Sequence, residues 1–220
     1  MSFYTIDSLT FTYNNNNNNL FENLNFLIEG NQHIGLIGPN GCGKTTLAKL
    51  MLGILRPTDG RILLEGTNIR NISLSYIGSK VGYVFQNPDK QLFCPTVWEQ
   101  MSFSFNYGSQ SSQKNIEDKI NYYLEIFDLA KYKDASPLTL SRGEKQRLAL
   151  ASVLSRDVKF LILDEPTTGL DLLRKKQLEK CLLTLRNEGK GYMIISHEAR
   201  FLDRYVDKLL TLGPKGVDVC

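Results

Sequence analysis

One octapeptide restricts this chain to a narrow set of folds: Gly38-Pro39-Asn40-Gly41-Cys42-Gly43-Lys44-Thr45, preceded by the apolar run Ile34 to Ile37 and followed by Leu47, Leu50 and Met51 at helical spacing. It satisfies G-x-x-x-x-G-K-[ST] at every fixed position, in the strand-loop-helix setting that the motif needs. Glycines at 38, 41 and 43 let backbone N–H groups curve around phosphate oxygens. The helix starting near Lys44 points its positive end at them, and the lysine neutralises charge nearer the terminal phosphate. Thr45 can place its hydroxyl on Mg²⁺. A glycine-rich turn without a ligand has no reason to carry lysine and threonine at those two positions as well.

More than a hundred residues later stands Phe160-Leu161-Ile162-Leu163-Asp164-Glu165. The unbroken apolar run reads as a buried parallel strand, expected to lie beside the strand that feeds the phosphate loop. Asp164 would then hold Mg²⁺ through water, and Glu165 would reach the attacking water, a role worth about 10² to 10⁴ in rate. The two blocks together predict ATP binding and hydrolysis.

The rest of the pattern builds an α/β protein around these blocks. Leu9, Phe11 and Tyr13 alternate with polar residues, and Leu24, Phe26 and Ile28 repeat that period, so the first thirty residues predict two antiparallel strands. The tract Asn14 to Asn19 between them reads as a solvated loop. Further strands are expected at Arg61 to Glu65 and at Val81 to Phe85, the latter ended by Gln86-Asn87-Pro88. From Pro88 to about Leu140 the pattern turns helical: Thr96-x-x-Glu99 is a capping box, and Ile116, Ile120, Leu124 and Phe127 mark one face. A second capping box, Ser141-x-x-Glu144, opens a helix with Leu148, Ala151 and Leu154 along it. Tyr192 to Ser196 is another buried strand, a helix follows from Glu198, and Leu209 to Leu212 forms a last strand before the Gly-Pro-Lys-Gly tail. The whole reads as one domain over residues 1–220, with a helical insert at about 88–140 and the rest of the core at 141–220.

The net charge of +3 is spread without a long basic block, so nucleic acid is not an expected partner. Four cysteines, Cys42, Cys94, Cys181 and Cys220, lie too far apart to suggest zinc or a disulfide framework. No apolar stretch approaches the ~20 residues needed to span a bilayer, and the N-terminus lacks an export signal. Membrane attachment is expected only through another subunit, on the cytoplasmic face.

The order of motifs resembles the nucleotide-binding subunit of ATP-binding cassette (ABC) transporters, and the resemblance covers the whole chain. Leu140-Ser141-Arg142-Gly143-Glu144-Lys145-Gln146-Arg147 is similar to the family's LSGGQ signature, whose helix start contacts the γ-phosphate of ATP held by the opposite subunit. The resemblance implies a phosphate-loop ATPase core with a mainly parallel sheet, an N-terminal antiparallel β-subdomain and an inserted helical subdomain. It makes Glu165, His197 and Lys44 the catalytic residues. Nucleotide contacts fall to Tyr13 against adenine, to Gly38, Pro39, Asn40, Gly41, Cys42, Gly43, Lys44, Thr45 and Thr46, and to Gln86, Ser141, Gly143 and Asp171. Thr45, Gln86 and Asp164 would hold Mg²⁺. Gln86 stands for the loop glutamine that senses metal and γ-phosphate, Gly169-Leu170-Asp171 for the dimer-contact loop, and His197 for the switch histidine. His33 is expected to be structural. The sequence departs from the family at Arg142 and Glu144, where glycine and glutamine are commonest. If residue 142 requires a positive φ, arginine carries a steric cost there; otherwise its guanidinium adds positive charge beside the phosphate.

Val81-Gly82-Tyr83-Val84-Phe85-Gln86-Asn87-Pro88-Asp89-Lys90-Gln91-Leu92-Phe93, with Thr96-Val97-Trp98-Glu99, is similar to the ATPases of energy-coupling factor (ECF) importers of vitamins and metal ions. That likeness implies a second ABC ATPase subunit, a transmembrane coupling subunit docking on the helical insert, and a small membrane-embedded substrate-binding subunit. Phe93, Trp98, Met101, Phe103 and Phe105 are the candidate apolar surface for docking. The chain stops soon after its last core strand, so a monomer is expected without ATP. Two other functions stay open on sequence: a non-transport ABC ATPase, and a low-turnover regulatory cassette.

Overall fold

The computed structural model describes residues 2–13, 18–103, 105, 113–213 and 216–219. Most of the asparagine tract lies outside these, as does the centre of the 104–112 stretch.

Two sheets form the frame. The first is antiparallel, with β1 (Ser2–Phe11), β2 (Phe21–Glu29), β4 (Asp59–Leu64) and β5 (Thr67–Asn68) in the order β2-β1-β4-β5. The second has the order β10-β9-β3-β8-β7-β6, built from β3 (His33–Ile37), β6 (Val81–Val84), β7 (Phe160–Asp164), β8 (Gly191–Ile195), β9 (Lys208–Gly213) and β10 (Gly216–Val219). Its strands pair in parallel except for β10, which runs antiparallel to β9. Two expectations are corrected here. The tail after Leu212 does not leave the core at once but turns back as β10. More consequentially, β7 is not the neighbour of β3, because β8 lies between them and pairs with both.

Period-two alternation along the central strands divides the core. Phe160, Ile162, Met193 and Ile195 face one hydrophobic cluster with the antiparallel sheet and α1 (Lys44–Met51). Leu161, Leu163, Tyr192 and Ile194 face the other. That second cluster includes α3 (Val97–Phe103), α4 (Gln113–Ile126), α5 (Arg142–Leu154), α6 (Leu172–Asn187) and α7 (Ala199–Tyr205). Strands apolar on both faces are what a sheet covered on both sides demands. The remaining helix, α2 (Leu74–Lys80), precedes β6 and buries Ile77.

Helix α6 was missed on sequence although its signal is present. Asp171 caps it by accepting from Arg174 N at 2.8 Å, and Leu178, Cys181, Leu182 and Leu185 form its buried stripe. Both expected capping boxes form. Thr96 and Glu99 exchange side-chain to backbone bonds of 3.1 and 3.2 Å, and Ser141 does the same with Glu144.

Of the five residues expected to offer a docking surface, two remain exposed and three are wholly or partly buried. Met101 and Phe105 are buried in the core and Trp98 packs partly against it. Phe93 and Phe103 stay exposed, edge to face with ring centroids 4.9 Å apart. Within α3, helical spacing turns Met101 toward the core and Phe103 toward the surface, where it meets Phe93 from the preceding loop.

Candidate active site

The carboxyl ends of β3, β6, β7 and β8 deliver the Gly38 loop, Gln86, Glu165 and His197 to one edge of the sheet, where ligands of open α/β sheets bind. The loop can exist only with glycine at two of its turns. Gly38 has φ +153 and a Cβ there would meet Leu212 O at 2.3 Å; Gly43 has φ +102 and a Cβ there would meet the Phe21 ring at 2.6 Å.

Although β8 separates their strands, Thr45 Oγ1 donates to Asp164 Oδ2 at 2.7 Å, because α1 carries Thr45 across the edge of the sheet. Tyr83 OH donates to the same oxygen at 3.1 Å. Asp164 is 1% exposed, and burial pushes its carboxyl up against the pull of these two hydroxyls. Burial, then the Asp164 charge, raise the Tyr83 phenol. Tyr83 was not singled out on sequence, yet a tyrosine inside an otherwise apolar strand needs a partner for its hydroxyl, which is the signal available.

Lys44 Nζ donates to Gly38 O at 2.8 Å and Pro39 O at 3.1 Å, which folds the ammonium over the loop. Tyr13 OH and Thr46 Oγ1 are 2.9 Å apart, and the Tyr13 ring stands edge-on to Phe11. Tyr13, Asn40, Gly41, Gly43 to Thr46, Gln86, Asp164 and Glu165 line one open cleft of about 590 Å³. Pro39 and Cys42 belong to the same loop, closed by Cys42 N donating to Pro39 O at 3.3 Å.

Glu165 adopts φ 51, a left-handed conformation that costs a non-glycine residue on the order of 1 kcal/mol or more. That turn leaves its N–H bonded to Ile195 O at 2.9 Å and its side chain 10% exposed, with Oε2 buried and unpartnered. Oε1 accepts from His197 Nδ1 at 3.0 Å. The His197 side chain is 70% exposed, and the hydrogen bond to Glu165, then its charge, hold the imidazole pKa above its usual value. A carboxylate carried on a strained backbone, with one oxygen bonded and the other buried without a partner, marks a candidate functional group.

Ser141, Gly143 and Asp171 do not line this cleft. Ser141 Oγ donates to Glu144 Oε2 at 2.7 Å, while Asp171 spends its carboxylate on the α6 cap. Hydrogen bonds from Tyr132 and then Ser141 hold the Glu144 carboxyl down at about 2. Residue 142 takes helical rather than positive φ, so Arg142 is unstrained and exposed; it lines a second cleft of about 480 Å³ with Gln86, Asp89, Lys145 and Thr168. His33 is buried, bonded through Nδ1 to Asp207 at 2.6 Å at the opposite ends of the strands, as a structural residue would be. Among the described residues no group of three or more His, Cys, Asp or Glu could hold a metal by itself, and no helix is long and apolar enough to cross a membrane.

A phosphate-cradling loop at the head of a parallel sheet, with paired acids ending a core strand, defines a nucleotide triphosphatase of the phosphate-loop class. The family model for ABC transporters matches residues 21–168, and the chain belongs to that family as an ATP-binding, ATP-hydrolysing domain. It is 40% identical over 181 residues to an ABC transporter ATP-binding protein of Pyrococcus furiosus, covering 82% of this chain and 69% of that one. To the energy-coupling factor transporter ATP-binding protein EcfA1 of Thermotoga maritima it is 37% identical over 217 residues, covering 98% and 80%. Among solved structures it is similar to cbiO1 from Clostridium perfringens, part of the ABC transporter complex cbiONQ, with TM-score 0.81, 30% identity, and 99% and 87% of the two chains covered.

Proposed function

We propose that this chain is the ATPase subunit of an ECF-type importer of a vitamin or metal ion, a single ABC ATPase domain over residues 1–220 whose insert at about 88–140 docks a transmembrane coupling subunit. The observation that carries the chemistry is the joining of Thr45, Asp164 and Glu165 at one cleft across more than a hundred residues of sequence. The branch is supported by the likeness to EcfA1 along nearly the whole chain.

Thr45 hydroxyl and Asp164 carboxylate supply the hard oxygen donors that suit Mg²⁺, which is commonly held by one or two carboxylates together with substrate phosphates. Gln86, at the lip of the same cleft, would complete the set. When bound, the metal would screen charge on the β- and γ-phosphates. The chain's own residues do the rest. The amides of the Gly38 to Thr46 loop and Lys44 bind and orient the phosphates, Tyr13 stacks on adenine, and Glu165 positions water or takes its proton, with His197 holding the carboxylate in place. A second ABC ATPase subunit would present its Ser141, Gly143 and Asp171 segments to this nucleotide, and preferential binding of ATP to the closed pair drives transport. The location is the cytoplasmic face of the membrane, through the coupling subunit, with a small membrane-embedded protein reading the cargo.

Coexpression with a candidate transmembrane coupling protein tests this. A membrane complex whose vitamin or metal uptake depends on ATP supports the proposal, whereas a stable soluble complex and no uptake would favour a non-transport ATPase.

A further inference from the structure

Gln91 joins the strand end beside Gln86 to helix α5. Its Oε1 accepts from Phe85 N at 3.1 Å, one residue before Gln86. Its Nε2 donates to Ala149 O at 2.9 Å and to Ser152 Oγ at 3.3 Å, both on α5. The side-chain amide thus closes the 86–90 segment into a loop and fastens it to the middle of the helix that Ser141 caps. A second tie runs alongside, with Lys145 Nζ donating to Asp89 Oδ1 at 2.8 Å. The Gln91 carbonyl is in turn held by Gln100 Nε2 at 3.3 Å, and buried Gln100 also accepts from Phe93 N at 2.9 Å and Cys94 N at 3.1 Å.

We propose that Gln91 is a positioning residue that makes the Gln86 loop and α5 a single moving body, so that what Gln86 contacts in one cleft sets the position of the Ser141 end of α5. The chemistry suits a strut. An amide both donates and accepts, so one planar group satisfies a strand-end N–H and a helix carbonyl at once, which neither a carboxylate nor an aliphatic chain does. Asp89 and Lys145 add a tie that is half solvent-exposed and therefore weaker. The inference rests on the ATPase reading above, in which Gln86 meets the γ-phosphate and the α5 end completes a second site.

The test uses the full chain in its transport complex. Gln91→Glu keeps the acceptor for Phe85 N but loses the donors to α5, and Gln91→Leu loses both. Each is expected to lower kcat about tenfold while affinity for a fluorescent ATP analogue stays within about twofold, the split that marks a group acting after binding. Asp89→Lys and Lys145→Asp should each lower kcat, and the double swap should restore it, with Tm recorded for every variant. Gln86→Ala separates the two levels. If it lowers kcat and the Gln91 variants do not, or if they lose affinity and kcat in proportion to Tm, the strut is overturned and the ATPase reading stands. If Gln86→Ala leaves kcat unchanged, Gln86 has nothing to relay and both the role of Gln86 and the strut fall. Should Gln91→Leu not fold, Gln91→Glu and the charge swap decide.

Discussion

Glu165 Oε1 lies 3.0 Å from His197 Nδ1, across the ends of the adjacent strands β7 and β8. Neither residue reaches the other by local geometry. Parallel pairing of Asp164 with Ile195 puts the two strand ends level, and the left-handed turn at Glu165 aims its carboxylate sideways toward the histidine.

Glu165→Gln keeps the shape of the side chain and removes its basicity. Turnover should fall by about 10² to 10⁴ while Mg-ATP is still bound. Light scattering should show a monomer without nucleotide and a dimer that persists with ATP in this variant. Undiminished turnover would remove Glu165 from the chemistry.

The His197 to Glu165 pair predicts a pH-dependent stability term. Because the folded imidazole pKa is raised above 6.5, the pairing contributes fully below that value and fades as pH climbs through the raised folded value. Melting curves of the wild type and His197→Ala should therefore differ most on the acid side and converge on the alkaline side. The exposed histidine keeps the difference small. A gap that widens with rising pH would contradict the assignment.

Asp164 is buried and its folded carboxyl pKa is raised, so ionisation opposes folding above its unfolded value of 3.8. Asp164→Asn should raise Tm of the nucleotide-free protein at neutral pH by a few degrees, about what 1 kcal/mol gives a chain of this size. It should also depress ATP turnover, the usual exchange at a site that stores strain. A lower Tm would mean that the hydroxyls of Thr45 and Tyr83 outweigh the burial of charge.

Arg142 replaces a residue that is usually glycine in the family, yet its backbone is helical and its side chain faces solvent. Arg142→Gly therefore relieves no strain and should cost up to about 1 kcal/mol through lost helix propensity. ATP turnover of this variant should not rise; a gain of orders of magnitude would show that the native signature is impaired.

Short-range chemistry made much of the molecule readable from its residues. The glycines of the phosphate loop, the capping boxes at Thr96 and Ser141 and the apolar strands each act within a few residues, so their local preference agrees with the final fold and can be read from the chain. The placement of β8 between β3 and β7, the positive φ of Glu165, the fate of the aromatics from Phe93 to Phe105 and the Gln91 strut were not readable in this way. A buried strand looks the same whichever neighbour it pairs with, and a glutamine carries no mark of the distant N–H and carbonyl that it will join. The sequence by itself supplied the glycine-rich loop proposed to bind phosphate and the paired acids proposed to assist hydrolysis. Only the tertiary structure decided how they meet, because strand order and side-chain direction are chosen by long-range packing of two cores on opposite faces of one sheet.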